Sequence, residues 1–283
     1  MEILRTIVEL REYVSSIKNS KKTIGFVPTM GFLHEGHASL IQRSKKENDI
    51  TIVSIYVNPL QFNNPVDFEK YPKNEELDVL HLEKLKVDIL FLPNTFEIFG
   101  SLQDNKIEMK IPNLMKNLCA PSRPGHFEGV LHIVSKLFNY TLPNRAYFGL
   151  KDYQQYLIIK ELVNNLSFPI EIIGMETIRE KNGLAMSSRN SRLSPEDKED
   201  ATLIYRSMSM AKDYVKKKNI SINVIKEFIK EILLSSKNIK IDYLEILDPF
   251  TLVEKEELSG NILIGIAIFI KDVRLIDNIR FEV

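Results

Sequence analysis

The chain has 283 residues, 44% hydrophobic and 27% charged, enough for a sizeable core and about two domains. Lys+Arg and Asp+Glu are both 38, so the formal net charge is zero and a global electrostatic footprint for nucleic acid is excluded. The single cysteine, Cys119, rules out an intrachain disulfide and fits a reducing compartment.

The first residues set Ile3, Ile7, Val8 and Leu10 among Glu2, Arg5, Glu9, Arg11 and Glu12. That is an amphipathic helix pattern, not the apolar run of a signal peptide. Thr23 to Val27 reads as a strand and Ala38 to Lys46 as the helix after it. Thr51 to Val57 is apolar nearly throughout, as in a strand covered on both faces. Glu75 to Leu85 reads as a helix, Val87 to Leu92 as a strand and Val130 to Asn139 as a helix. Arg145 to Phe148 reads as a short strand, Tyr153 to Asn164 as a helix and Ile170 to Met175 as the last strand of the series. Strand–helix–strand repetition implies a parallel sheet with right-handed crossovers.

The pattern changes near Thr177. Ser194-Pro195-Glu196-Asp197 combines a cap residue, proline at the first helical position and acids near the positive helix end. Leu203 to Lys217 and Ile222 to Leu234 read as helices. Ile241 to Leu247, Ile262 to Ile270 and Val273 to Ile276 read as strands. The run from Ile262 to Ile270 is too short to span a bilayer as a helix, which takes about 20 residues. No membrane partner is expected, and the cytoplasm is the expected location. The expected fold class is α/β. A Rossmann-like parallel-sheet domain spans residues 1–177, and a smaller α+β lid domain spans 178–283.

Five runs carry chemistry. Pro28-Thr29-Met30-Gly31-Phe32-Leu33-His34-Glu35-Gly36-His37 follows the first strand of the α/β series, and strand ends in open α/β sheets are where ligands bind. Its glycines allow close backbone approach. His37 is expected to open the next helix, where free N–H groups and the helix dipole attract phosphate. Two imidazoles three residues apart can face one phosphate. The spacing is one residue short of the His-Glu-x-x-His zinc motif, and two structural histidines are the plain alternative. Val57-Asn58-Pro59-Leu60-Gln61-Phe62 ends a buried strand. Its amides can orient a hydroxyl or carboxylate without a buried charge, or form a polar turn. Ser122-Arg123-Pro124-Gly125-His126-Phe127 can bind an anion or brace a loop. Phe148-Gly149-Leu150-Lys151-Asp152-Tyr153-Gln154-Gln155 offers Lys151 as a point charge for phosphate, or a solvated helix start with Asp152 near the cap. Gly183-Leu184-Ala185-Met186-Ser187-Ser188-Arg189-Asn190 joins hydroxyls to a guanidinium, which suits a triphosphate tail or a polar loop.

Together with Tyr71-Pro72-Lys73, Asp242-Tyr243-Leu244-Glu245 and Arg274-Leu275-Ile276-Asp277-Asn278, these runs closely resemble the pantoate–β-alanine ligases, the pantothenate synthetase family of the H-x-G-H nucleotidyltransferase superfamily. The resemblance covers nearly the whole length. It implies condensation of pantoate with β-alanine, using ATP and Mg²⁺ and releasing AMP and pyrophosphate. Met30, Gly31, Phe32, Leu33, His34, Glu35, Gly36 and His37 would line the ATP site, with His34 and His37 on the phosphates. Gly149, Leu150, Lys151 and Asp152 would contact the nucleotide, Lys151 at phosphate and Asp152 near the ribose. Ile178 falls at a backbone contact to adenine. Met186, Ser187, Ser188 and Arg189 would form a mobile segment closing on the phosphates. Gln61 and Gln155 would hold pantoate, and Asn58, Arg123 and His126 would support the acid and β-alanine side. Asp78 matches a magnesium position. His34, His37 and Lys151 are the expected catalytic residues, and a homodimer is the expected assembly.

Two positions depart from the family pattern. Leu150 replaces a usual Glu or other polar residue, and His132 stands where Thr is common. Three other readings compete. Against a nucleotidyltransferase that stops at a nucleotide product stand the Gln61 and Gln155 amides. Against a non-catalytic nucleotide sensor stand His34, His37, Lys151 and Arg189. Against an aminoacyl-tRNA synthetase-like protein stand zero net charge and the lack of an anticodon-binding extension.

Overall fold

Six strands build the first sheet: β1 (Glu2–Leu4), β2 (Ile24–Thr29), β3 (Ile50–Ile55), β4 (Ile89–Phe91), β5 (Arg145–Gly149) and β6 (Glu171–Met175). Their order is β1-β4-β3-β2-β5-β6, and every pair is parallel. Ile24, Phe26, Val27, Ile52 and Val53 are fully buried, as expected where helices cover both faces of a parallel sheet. The chain steps one way from β2 to β3 and β4, and the other way from β5 to β6. The carboxyl ends of β2 and β5 therefore flank the point where the winding reverses, the usual ligand crevice of such sheets.

The computed structural model describes residues 1–100, 107–215 and 220–283. Two compact units divide them. One holds Met1–Lys110, Gly125–Leu150 and Ile158–Glu176; the other holds Ile111–Pro124, Lys151–Leu157 and Thr177–Val283. A single cut in chain order does not express this, because two early segments belong with the C-terminal one.

The helix Glu35–Glu47 is latched to β5 at its C-terminal end. The Tyr147 hydroxyl accepts from Asn48 Nδ2 (2.7 Å) and donates to Glu47 Oε2 (2.9 Å). Burial, chiefly, pushes the Tyr147 pKa up to about 12. Gly25 permits this packing, since a Cβ there would lie 2.2 Å from Ser44 Oγ.

The N-terminus corrects one expectation. Glu2–Leu4 is a strand paired in parallel with β4, and the helix starts only at Ile7. Thr6 caps it, accepting from Glu9 N–H (3.2 Å) while Glu9 Oε2 accepts from Thr6 N–H (2.9 Å). Three residues are too few for alternation to separate a strand from the helix that follows.

In the second unit, helices Pro195–Val215 and Ile222–Leu233 pack on an antiparallel sheet in the order β7 (Ile239–Leu247), β8 (Asn261–Ile270) and β9 (Val273–Glu282). Ile204, Met208 and Ala211 from one helix and Ile225 and Ile229 from the other meet Ile264, Ile266 and Ile268 of β8 in one core. The last two residues expected in the Leu203 to Lys217 helix lie outside the described residues. β9 runs six residues beyond the expected end at Ile276, because Asp277, Asn278 and Arg280 interrupt the apolar pattern on which that expectation rested. No helix among the described residues is long and apolar enough to cross a membrane.

Candidate active site

The loop after β2 is held by its own polar groups. The backbone turns through the left-handed region at Gly31 (φ +79°) and Phe32 (φ +51°). Thr29 Oγ1 donates to Ser54 O (2.9 Å) and accepts from Gly31 N–H (3.2 Å). Asp78, 4% exposed, accepts from Phe32 N–H at Oδ2 (2.8 Å) and from Leu33 N–H at Oδ1 (2.7 Å). A Cβ on Gly31 would stand 2.9 Å from Asp78 Oδ2, so the carboxylate and the glycine require each other. The magnesium role expected for Asp78 does not fit these surroundings. Both oxygens already cradle backbone N–H groups, and Mg²⁺ demands octahedral oxygen ligands and usually keeps several waters. Among the described residues no group of three or more His, Cys, Asp or Glu side chains is placed to hold a metal.

The helix starts earlier in the chain than expected, so His37 lies inside its first turn instead of opening it. Glu35 is its first residue, His34 is the N-cap and His37 is the third helical residue. His34 Nδ1 accepts from Gly36 N–H (3.1 Å), and His37 Nδ1 accepts from His34 N–H (3.3 Å), a capping box built from imidazoles. The ring centroids are 4.1 Å apart. A nitrogen that accepts from an amide carries no proton, so each neutral ring carries its proton on Nε2. The cap thus turns two histidines into Nε2–H donors at the positive end of a helix, an arrangement suited to phosphate oxygens.

Asn58, Gln61 and His126 form the next cluster of the first unit, together with Met30. The Asn58 side chain, 1% exposed, donates to Gly129 O (3.0 Å) and Gln61 Oε1 (3.3 Å) and accepts from Leu60 N–H (3.2 Å). Its role is to fix Gln61, whose Nε2 lies 2.8 Å from Met30 Sδ. His126 Nδ1 lies 2.7 Å from Gln61 O. A carbonyl only accepts, so Nδ1 carries the proton here, the opposite tautomer to His34 and His37. Gly129 was not apparent from sequence. A Cβ there would come 2.4 Å from Leu60 O, so helix His126–Thr141 can seat the Gln61 turn only with glycine at that position. A glycine inside an otherwise regular apolar helix was the available signal.

The second unit carries the other expected residues. The division falls between Pro124 and Gly125 and between Leu150 and Lys151, so it parts Arg123 from His126 and Lys151 from Gly149. Lys151 Nζ lies 3.7 Å from Asp152 Oδ2, and Lys151 O accepts from Asn278 Nδ2 (3.0 Å). Gln155 is half-buried in the first turn of helix Tyr153–Asn165. Its neighbour Gln154 is structural: its Oε1 accepts from Cys119 N–H (2.9 Å), and its Nε2 donates to Leu114 O and Asn117 O (both 2.8 Å). That grip, with Glu245 accepting from Leu118 N–H (2.8 Å), fixes the segment leading to Arg123. Burial raises the Glu245 pKa. Ile178 and Met186 join across a hairpin, Met186 N–H donating to Ile178 O (3.0 Å). Ser187 caps the 3-10 turn Ser188–Arg192, accepting from Arg189 N–H (3.3 Å).

Comparison with known proteins decides the family. The sequence model of the family described as pantoate-beta-alanine ligase matches residues 2–280. The chain belongs to the pantoate–β-alanine ligase family. It is 52% identical to the pantothenate synthetase of Leptospira interrogans over its whole length and 99% of that protein. The pantothenate synthetase of Caldicellulosiruptor saccharolyticus is 43% identical with both chains covered in full. The crystal structure of pantothenate synthetase from Thermus thermophilus matches with a TM-score of 0.92 at 36% identity over 99% of each chain. That of the pantoate-beta-alanine ligase from Francisella tularensis, complexed with beta-gamma ATP and beta-alanine, matches with a TM-score of 0.79 at 38% identity, covering 99% of this chain and 97% of that one. The ligase fold of a parallel α/β sheet with a separate small antiparallel sheet is therefore the fold of this chain, and the chain is an enzyme of the ligase class.

Proposed function

We propose that the chain joins pantoate to β-alanine in two steps through pantoyl adenylate. A carboxylate is a poor electrophile for an amine at neutral pH, and adenylation removes that obstacle. A pantoate carboxylate oxygen attacks the α-phosphorus of ATP in line, the bond to the β-phosphate bridge breaks, and pyrophosphate leaves. The β-alanine amine then attacks the acyl carbon, AMP leaves with the bridging oxygen, and the nitrogen loses its proton.

The observation that carries this reading is the paired Nε2–H donors of His34 and His37 at a helix start beside the sheet's reversal point. Charge grows on the phosphate oxygens as the new bond forms and the old one breaks. Donors fixed in advance by a capping box offset it without reorganising. Met30 to His37 would line the nucleotide, with Gly149 and Leu150 contributing backbone contacts. Lys151 and the Ser187-Ser188-Arg189 turn would add positive charge and hydroxyls, Asp152 would reach the ribose, and Ile178 and Met186 the base. Gln61, held by Asn58 and His126, and Gln155 would hold pantoate, and Arg123 would face the acid side. Magnesium would arrive on the triphosphate as part of the substrate, and no step is assigned to a protein-held ion. A homodimer and a cytoplasmic location, both implied by the sequence resemblance, complete the proposal; light scattering of the purified chain would read the first. ATP–pyrophosphate exchange tests the function. It should require pantoate and proceed without β-alanine, and exchange that requires β-alanine would rule out the two-step route.

A further inference from the structure

The C-terminal strand carries two polar residues that the reaction, as described so far, does not use. Asp277 of β9 is buried, and its carboxylate takes Arg179 in a two-point grip: Nη1 to Oδ2 at 2.5 Å and Nη2 to Oδ1 at 3.0 Å. Arg179 is fixed further. Its Nη1 also donates to Gly183 O (3.2 Å), and its guanidinium lies 3.7 Å from the centre of the Tyr205 ring. This arginine belongs to a short hairpin. Arg179 bridges Ala185, Glu180 N–H donates to Leu184 O (2.8 Å), and Met186 N–H donates to Ile178 O (3.0 Å). Asn190 Nδ2 ties the hairpin to the following 3-10 turn, donating to Glu180 Oε1 and Ala185 O (both 3.0 Å). The whole piece from Ile178 to Arg189 is thus anchored at one carboxylate.

The next residue grips the other segment. Asn278 Nδ2 donates to Lys151 O (3.0 Å), and Asn278 N–H donates to Asp277 Oδ1 (2.8 Å). Neighbouring residues of a strand point to opposite faces, so β9 holds one segment with each. The strand is a firm base, since Asp277 and Asn278 pair with Ile266 and Gly265 in a ladder that runs the length of β9.

We propose that Asp277 and Asn278 are positioning residues for adenylation, setting Lys151 in register with the hairpin that carries Ile178 and Met186 to Arg189. The assignment rests on the reading that those two segments act on ATP. Displacing either by about 1 Å would cost roughly 10²-fold in a reaction that depends on alignment. Neither side chain need touch the nucleotide for this.

The test uses Asn278→Ala, Asp277→Asn and the wild-type chain. Adenylate formation from ATP and pantoate is followed by rapid quench, and amide formation is followed separately from supplied pantoyl adenylate and β-alanine. The expected result is a fall in the adenylation rate of about tenfold for Asn278→Ala and about 10²-fold for Asp277→Asn. The ATP KM should rise, while pantoate affinity and the supplied-adenylate step stay within about twofold, a precision well inside the tenfold per 1.4 kcal/mol scale. Parallel loss of both steps, or no loss of either in Asn278→Ala, overturns the assignment. Asn278→Ala removes the half-buried hydrogen bond to Lys151 O and keeps the test decisive if Asp277→Asn, which takes the carboxylate from the half-buried Arg179 guanidinium, fails to fold. Absence of pantoate-dependent exchange in the wild-type chain would overturn the functional reading itself, and this assignment with it.

Discussion

The imidazole capping box separates two jobs of His37 that an alanine substitution would confound. As a cap, its Nδ1 accepts from His34 N–H; as a donor, its ring offers the proton that this bond places on Nε2. His37→Glu keeps the first and removes the second, because glutamate at the third helical position makes the same bond to the N-cap amide and favours the positive helix end. His37→Ala removes both. Losing one hydrogen bond of this kind costs about 0.5–1.5 kcal/mol, so chemical denaturation should place His37→Ala lower by that amount and His37→Glu close to wild type. Losing a donor aimed at transition-state charge costs about 10²–10³ in rate. A carboxylate in its place adds repulsion, about 4 kcal/mol for unit charges 4 Å apart near a protein surface. Rapid-quench measurement should therefore show adenylation falling about 10²–10³-fold in His37→Ala and further in His37→Glu. Supplied pantoyl adenylate should restore part of amide formation in both. A well-folded His37→Glu that adenylates pantoate within tenfold of wild type would refute the donor role.

Gln155→Ala should raise the pantoate Kd by roughly 5- to 150-fold, the cost of one lost buried hydrogen bond, and leave the ATP Kd nearly unchanged by calorimetry; equal losses would make Gln155 structural. Gly129→Ala puts a carbon 2.4 Å from Leu60 O, about 1 Å inside the ordinary contact distance of 3.4–4 Å. The resulting strain, about 1–3 kcal/mol, should outweigh the helix propensity alanine gains, and the shifted Gln61 turn should lower kcat/KM for pantoate by about 10²-fold. Unchanged kinetics would show that the turn does not position Gln61. Asp197→Asn tests a pH dependence. The Lys271 ammonium and then the Ser194 hydroxyl hold the Asp197 carboxyl below its ordinary value of 3.8. That stabilisation is complete above the unfolded pKa and fades as pH falls through the folded one. The variant should be less stable than wild type at pH 7, and the gap should close below about pH 3.8; a gap independent of pH would contradict the ion pair's role.

Much of this architecture can be read from the residues because burial on both faces leaves a plain trace. Ile24 to Val27, Thr51 to Ile55 and Ile262 to Ile270 are apolar runs, and each is a strand covered on both sides. The short strand Glu2–Leu4 left no such trace, and the polar second half of β9 hid its length. In the candidate site, sequence alone singles out residues of chemically scarce types: His34 and His37, Gln61, Lys151. It does not single out a residue that acts by holding another. Asp78 in sequence is one acid on an acidic helix start, and only the fold brings Phe32 and Leu33 N–H groups to it. Asn58 looked like a ligand contact, yet its amide is committed to Gly129, Leu60 and Gln61. Gln154 and Gln155 are adjacent glutamines that no sequence pattern tells apart. Helix geometry aims the first at three backbone groups of the 114–119 segment. Long-range side-chain-to-backbone bonds of this kind have no sequence period, and that is why they escape a reading by pattern.

The fate of the pantoate carboxylate oxygens tests the central claim most directly. Pantoate labelled with ¹⁸O in its carboxylate would be turned over with ATP and β-alanine, and the AMP analysed by mass spectrometry. If the carboxylate attacks the α-phosphorus, one labelled oxygen bridges the acyl carbon and the phosphorus and leaves with AMP. Each AMP should then carry one ¹⁸O, and the amide carbonyl should keep the other. AMP without the label, formed as pantothenate accumulates, would contradict the acyl-adenylate account.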